Sequence, residues 1–215
     1  LKPVLFIITG SNGAGKSTVG GTYLPLEIQR NYVVFDGDKL ALEKRKHLLS
    51  EIKSIKEAKR LADEWVHKRF LEHVKSALKT GDHFAYEGHF RDKRTLNIPK
   101  KFVKSGYSLS LIFMGLTNTH ESELRVIDRA KHGGHFVPLY EIESNFYGNL
   151  VMLNKNYKLF DELVIIDTSK DLEHKILLHR REGKILFYTE SKDQPFWFTK
   201  FLPRLLNLIE AEEKS

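Results

Sequence analysis

The sequence predicts an α/β protein: a parallel sheet flanked by helices, with a β-hairpin and a helix at the C-terminal end. Three observations predict it. Short apolar, β-branched runs alternate with segments of helical periodicity, as strand–helix–strand units require. A glycine-rich loop, GSNGAGKST, follows the first apolar run and opens a helical stretch. No internal repeat and no Gly/Ser/Pro linker divides the 215 residues, so one domain over residues 1–215 is expected.

The elements follow in order. Val4–Thr9 is β-branched and aromatic, a buried strand. A helix is expected from Gly15 to about Arg30, then a second strand over Tyr32–Phe35 that ends in the acidic DGD. From about Lys39 to Lys79 the composition is helical. Ala58, Ala62, Val66, Phe70, Val74 and Leu78 recur every fourth residue and mark one apolar face. The more charged part before them reads as a separate, exposed helix. Thr80–Asp82 stops the run, and HFAYEGHF forms a third strand closing on Glu87 and Gly88. Leu109–Met114 is a fourth strand and ELVIIDTS a fifth. Helices lie between them at about Arg94–Lys104, His120–Lys131 and Leu139–Lys155. KILLHRREGKILFYT is a hairpin turning at Glu182–Gly183, and the final amphipathic helix is bent near Pro203.

Composition narrows the function classes. Lys and Arg outnumber Asp and Glu by 35 to 28, a net charge of +7 that suits an anionic partner or serves solubility. With no cysteine, disulfides and thiolate metal sites are excluded, which fits a reducing, cytoplasmic setting. No apolar stretch approaches the roughly 20 residues of a membrane span. The apolar start is short, lacks a small-residue cleavage site and does not read as a signal peptide. Ten histidines show no H-E-x-x-H or three-ligand spacing.

The glycine-rich loop carries the chemistry. Gly10, Gly15, Lys16 and Ser17 complete G-x-x-x-x-G-K-[ST] between a strand and a helix. Glycines let successive N–H groups point inward at phosphate oxygens, and the helix start adds the positive end of its dipole. Gly10, Ser11, Asn12, Gly13, Ala14, Gly15, Lys16, Ser17 and Thr18 are therefore the candidate site for a nucleoside triphosphate. Lys16 is placed on the β- and γ-phosphates and Ser17 on Mg²⁺.

Three further clusters lie at strand ends or loops, where an open α/β sheet presents its site. Asp36 and Asp38 follow the second expected strand. One carboxylate there can take a hydroxyl proton and the other can help hold the metal, although Asp38 could instead cap the next helix. Glu87, followed by Gly88, is placed to bind substrate hydroxyls. Arg125 and Arg129 are four apart on one helix face, followed by two glycines and His135. That is the pattern of a basic lid closing on a phosphoryl group.

The order of these pieces resembles the zeta toxin family of small-molecule kinases. The run RVIDRAKHGGHFVP, Arg125 to Pro138, is the most specific part and is similar to the chromosomal branch. The resemblance covers about residues 3–188. It implies an adenylate-kinase-like P-loop fold and transfer of the ATP γ-phosphate to a UDP-activated amino sugar, typically UDP-N-acetylglucosamine. It implies Asp38 as the catalytic base, Asp36 beside it, Glu87 on the sugar, and Arg125 as the first phosphate-contacting arginine. It also implies an antitoxin, a separate chain that blocks the nucleotide site. Two positions depart from the founding toxins. His89 stands where they carry a hydroxyl residue. His135 stands at a second lid arginine, with Arg129 a candidate replacement. His89 and His135 are thus candidate acceptor contacts. Two other readings stay open: a nucleoside or polynucleotide kinase, and a module that binds ATP without transferring phosphate. The first is disfavoured because no basic residues are interleaved with aromatics to track a nucleic-acid strand.

Overall fold

A computed structural model describes residues 2–134, 136–170 and 173–214. Its centre is a six-stranded sheet in the order β2-β1-β3-β4-β5-β6. β1 (Val4–Gly10), β2 (Phe84–Glu87), β3 (Ser108–Gly115) and β4 (Glu162–Lys170) run parallel. β5 (Glu173–Arg181) and β6 (Lys184–Tyr188) continue the sheet antiparallel as the expected hairpin. Its turn places Glu182 at φ 49° and Gly183 at φ 84°, the left-handed pair that matches strand twist. β1 and β3 are almost wholly buried, as their largely apolar runs require.

The region after β1 differs from the sequence reading. The expected helix from Gly15 to Arg30 is three pieces: α1 (Lys16–Val19), a tight 3-10 turn over Gly20–Tyr23, and α2 (Leu26–Asn31). Gly20 packs so close to β1 that an added Cβ would lie 2.7 Å from the Ile8 side chain. Pro25 forces Leu24 into an extended conformation, which ends the turn.

Tyr32–Phe35 does not form a strand. Phe35 alone bridges to Tyr86: its N–H donates to Ala85 O and its carbonyl accepts from Glu87 N–H, each at 2.9 Å. Tyr32 instead turns its ring edge-on to His83, at 5.5 Å between centroids, and Val33 stays 91% exposed. The chain then enters α3 (Gly37–Leu49) at once. Its partner α4 (Ile55–Thr80) begins at a Ser54 cap and ends at Gly81, φ 75°. The apolar face of α4 lands on β2, where Phe70 meets Tyr86 and Phe84.

α5 (Asn97–Lys104) follows a 3-10 turn and stacks Phe102 on Phe84. α6 (Thr119–Lys131) and α7 (Leu139–Asn156) match their expected positions. The C-terminal helix is interrupted at Leu202 into α8 (Phe196–Phe201) and α9 (Pro203–Glu213), as Pro203 demands. Trp197 of α8 is fully buried against Gly115, where any Cβ would strike the indole at 2.2 Å. No helix among the described residues is long and apolar enough to cross a membrane.

Candidate active site

The site lies at the C-terminal ends of β1 and β2. β1 delivers Gly10 at φ 142°, hard against β3: a Cβ there would sit 2.0 Å from Met114 O. Gly13, at φ 76°, passes close to Arg125 of α6, where an added Cβ would lie 2.8 Å from the Arg125 side chain. Between them the loop curls, with Ala14 N–H donating to Ser11 O at 3.2 Å. Gly15 then starts α1, so the helix N-terminus faces the loop's hollow.

Lys16 folds back across that hollow. Its ammonium donates to Gly10 O at 3.1 Å and to Ser11 O at 2.9 Å. Burial pushes it down to about 8, Arg129 pushes the same way, and Asp38, Glu87 and Asp36 oppose. Ser17 donates to Glu87 Oε2 at 2.7 Å. Burial pushes the Glu87 carboxyl up to about 7, and Asp36 and Asp38 add to the rise. The Ser17 hydroxyl and Lys16 pull the other way. Three carboxylates and a lysine thus influence one another beside the glycine-rich loop.

The two aspartates have different local roles. Asp36 is the N-cap of α3, its Oδ1 accepting from Lys39 N–H at 3.0 Å. The capping role weighed for Asp38 therefore belongs to Asp36. Asp38 lies in the first turn of α3 and borders two adjoining clefts. One, of about 670 Å³, is also lined by Leu42, Arg45, Lys59, Phe136 and Tyr140. The other, of about 350 Å³, reaches Glu87, Tyr86 and His67. A third, of about 530 Å³, continues past His67 and Tyr86 to His89, Arg91 and Arg94. Leu42 and Arg45 belong to the charged stretch before α4, which thereby helps wall the groove.

The arginines of α6 separate. Arg125 is half-buried and bonded to main-chain oxygens: Thr168 O at 2.8 Å, Ser169 O at 2.9 Å and Gly13 O at 3.4 Å. It also pairs with Glu121 at 2.8 Å. It ties the phosphate loop to the end of β4. Arg129 lies close enough to Lys16 and His89 to depress both, and Gly134 packs on its side chain. His89 is held well below the ordinary imidazole value by burial first and then by Lys16, with Arg91 and Arg129 adding to the fall and a backbone hydrogen bond with Gly10 opposing it. His135 lies outside the described residues. Thr18 is exposed on α1 behind Ser17.

Oxygen donors predominate around Ser17 and Glu87, the hydroxyl and carboxylates that suit Mg²⁺. Among the described residues no group of three or more His, Cys, Asp or Glu could hold a metal by itself. That donor set fits an ion bound jointly with a triphosphate.

Sequence reasoning missed the support beneath the loop. Asn145 of α7 donates to Asn12 Oδ1 at 3.0 Å, and Ser122 donates to Asn12 O at 2.5 Å. Asn149, fully buried, bonds both Thr9 and Gly10. A signal was present: Asn145 and Asn149 interrupt the apolar face of Ile142, Phe146, Leu150 and Leu153 one turn apart.

The model of the family described as Zeta toxin matches residues 1–193. This chain belongs to the zeta toxin family. The solved structures agree on the fold. A chain of the crystal structure of AvrRxo1-ORF1:-ORF2 with ATP superposes with a TM-score of 0.68 at 14% identity, over 94% of this chain and 64% of that one. One from the same pair with sulphate ions gives 0.64 at 13% identity, over 94% and 64%. The PezAT chromosomal toxin-antitoxin system of Streptococcus pneumoniae gives 0.56 at 19% identity, over 99% of this chain and 85% of that one. The chain thus spans less than two thirds of the length of the AvrRxo1 chains it matches. No curated protein matches in sequence.

Proposed function

We propose that this member of the zeta toxin family is a kinase that transfers the γ-phosphate of ATP to a hydroxyl of a UDP-activated amino sugar such as UDP-N-acetylglucosamine. The observation that carries the reading is the junction of Lys16, Ser17 and Glu87, with Asp38 bordering the adjoining groove. A phosphate loop and a walled cleft meet there at a set of carboxylates. Asp38 accepts the proton of the acceptor hydroxyl as its oxygen attacks the γ-phosphorus and the bond to the β-phosphate oxygen breaks. Lys16 leaves its two carbonyl partners for the phosphates, and Arg129 reinforces the positive field there. Arg125, held by main-chain oxygens, keeps the loop in place. Glu87 and Asp36, with His89 and His135, border the acceptor. Ser17 would hold Mg²⁺ together with Asp36, and the ion when bound would offset charge on the phosphate oxygens.

The wider groove beside Asp38 suits a nucleotide sugar. Arg45 and Lys59 supply positive charge, and Phe136 and Tyr140 supply aromatic surface. An antitoxin partner is proposed with it, because neighbours in fold come from toxin-antitoxin or paired-chain structures. A cytoplasmic, single-domain protein completes the proposal.

The test is an acceptor screen with Mg·ATP, read by mass spectrometry for the gain of one phosphate. UDP-sugars, nucleosides and short oligonucleotides form the panel. A UDP-amino sugar is expected to gain phosphate, with transfer lost in Asp38→Asn and Lys16→Ala. Phosphorylation of another acceptor alone would overturn the substrate. Tight ATP binding with no acceptor modified would overturn the kinase.

A further inference from the structure

We propose that Asn149 is a positioning residue that couples the nucleotide loop to the acceptor loop; this rests on the kinase reading above. Its amide lies at the point where the two meet. Oδ1 accepts from Thr9 Oγ1 at 3.1 Å and from Phe90 N–H at 2.5 Å. Nδ2 lies 3.2 Å from Gly10 O, 2.7 Å from Asn145 O and 3.2 Å from His89 Nδ1. Thr9 and Gly10 run directly into the phosphate loop. His89 and Phe90 follow Glu87 after the single residue Gly88.

The orientation of the amide is dictated by its partners. Phe90 N–H can only donate, so the oxygen faces it. Gly10 O can only accept, so the nitrogen faces it. A packing role would call for leucine here, since Phe146, Leu150 and Leu153 around it are buried. A buried amide is tolerated only where its polar atoms are matched, and this one is matched on both sides of the site.

Gly10 O makes the arrangement responsive. It accepts from Lys16 Nζ and from Asn149 Nδ2. A phosphate that draws Lys16 away leaves Asn149 as the partner of that carbonyl. The Asn149 amide then tightens on Gly10, and its oxygen carries the change to Phe90 and the segment behind Glu87. Asn145, one turn earlier, holds Asn12 and fixes α7 as the fulcrum. Nucleotide binding therefore firms the acceptor loop and fixes the segment that follows Glu87 relative to the phosphates.

The experiment measures hydrogen exchange of the 84–92 segment with and without Mg·ATP, ATP affinity by equilibrium titration, and steady-state kinetics with UDP-N-acetylglucosamine. In the wild type, ATP should slow exchange at Phe90 by roughly fivefold or more. In Asn149→Ser, ATP affinity should stay within about threefold, and the slowing should vanish. Its kcat should fall by about 10- to 100-fold with KM for ATP little changed. Thr9→Val, an isosteric loss of one donor, should act in the same direction and keeps the test open if Asn149→Ser does not fold. Retained slowing in both variants would overturn the proposal. So would ATP affinity falling in step with kcat, the mark of a merely structural role. A wild type that fails to bind ATP in the titration would overturn the kinase reading itself, before any variant is compared.

Discussion

Glu87→Gln should make the empty protein more stable above neutral pH. Burial carries the carboxyl from 4.5 to about 7. Between those values the folded state keeps a proton that the unfolded chain has released, so stability falls as pH rises through the window. The loss is complete above about pH 7 and absent below about pH 4.5. The 2.5 pH units between 4.5 and about 7 correspond to about 3.4 kcal/mol at about 1.36 kcal/mol each. Because the site opens to a cleft, solvent screening brings the realistic figure to about 1–2 kcal/mol. Glutamine keeps an oxygen for the Ser17 hydroxyl and carries no charge. Thermal melts without nucleotide from pH 5 to pH 8.5 should show the variant's advantage growing with pH, to about 3–6 °C. An advantage that does not change with pH, or a variant less stable at pH 8, would refute the reasoning.

Two more predictions concern the same cluster. Asp36→Ala removes the cap of α3 and should lower stability by about 1 kcal/mol, whereas Asp38→Asn should leave the melting temperature nearly unchanged while abolishing transfer; melts and turnover of both variants check the division. Lys16, held down to about 8, should take up about half a proton when Mg·ATP binds at pH 8, where Glu87 is already largely ionised. Calorimetry in two buffers of different ionisation enthalpy measures this, and proton release would contradict it.

The parallel core was legible because β1, β3 and β4 are continuous apolar runs, and burial on both faces leaves such runs little choice. The tight glycine-rich loop was legible because Gly10, Gly13 and Gly15 occupy backbone positions that other residues rarely adopt. Tyr32–Phe35 misled because a β-branched run signals strand wherever it occurs, and the decision was made by Tyr32 turning to His83 and Asp36 capping α3. The continuous helix after Lys16 failed on Gly20, which packs against Ile8 of β1, and on Pro25, which holds Leu24 extended. Arg125 and Arg129 looked equivalent by spacing. Only the fold brings Thr168 O and Ser169 O to one of them. Asn149 carried no motif, since its meaning lies in two loops far from it in sequence.

The family match ends at residue 193, yet Trp197 lies beyond it and beneath the site. Its indole donates to Asp167 Oδ1 at 3.1 Å, and the same oxygen accepts from the hydroxyl and the N–H of Ser169. Ser169 O in turn holds Arg125, and Arg125 holds Gly13. A chain cut at the end of the match would therefore lose more than a surface helix. It would remove the first link of a chain of hydrogen bonds that ends on the phosphate loop, and it would expose Gly115, a residue with no side chain to cover β3. The last twenty-odd residues are a foundation of the half of the protein that carries the glycine-rich loop rather than a tail attached to it.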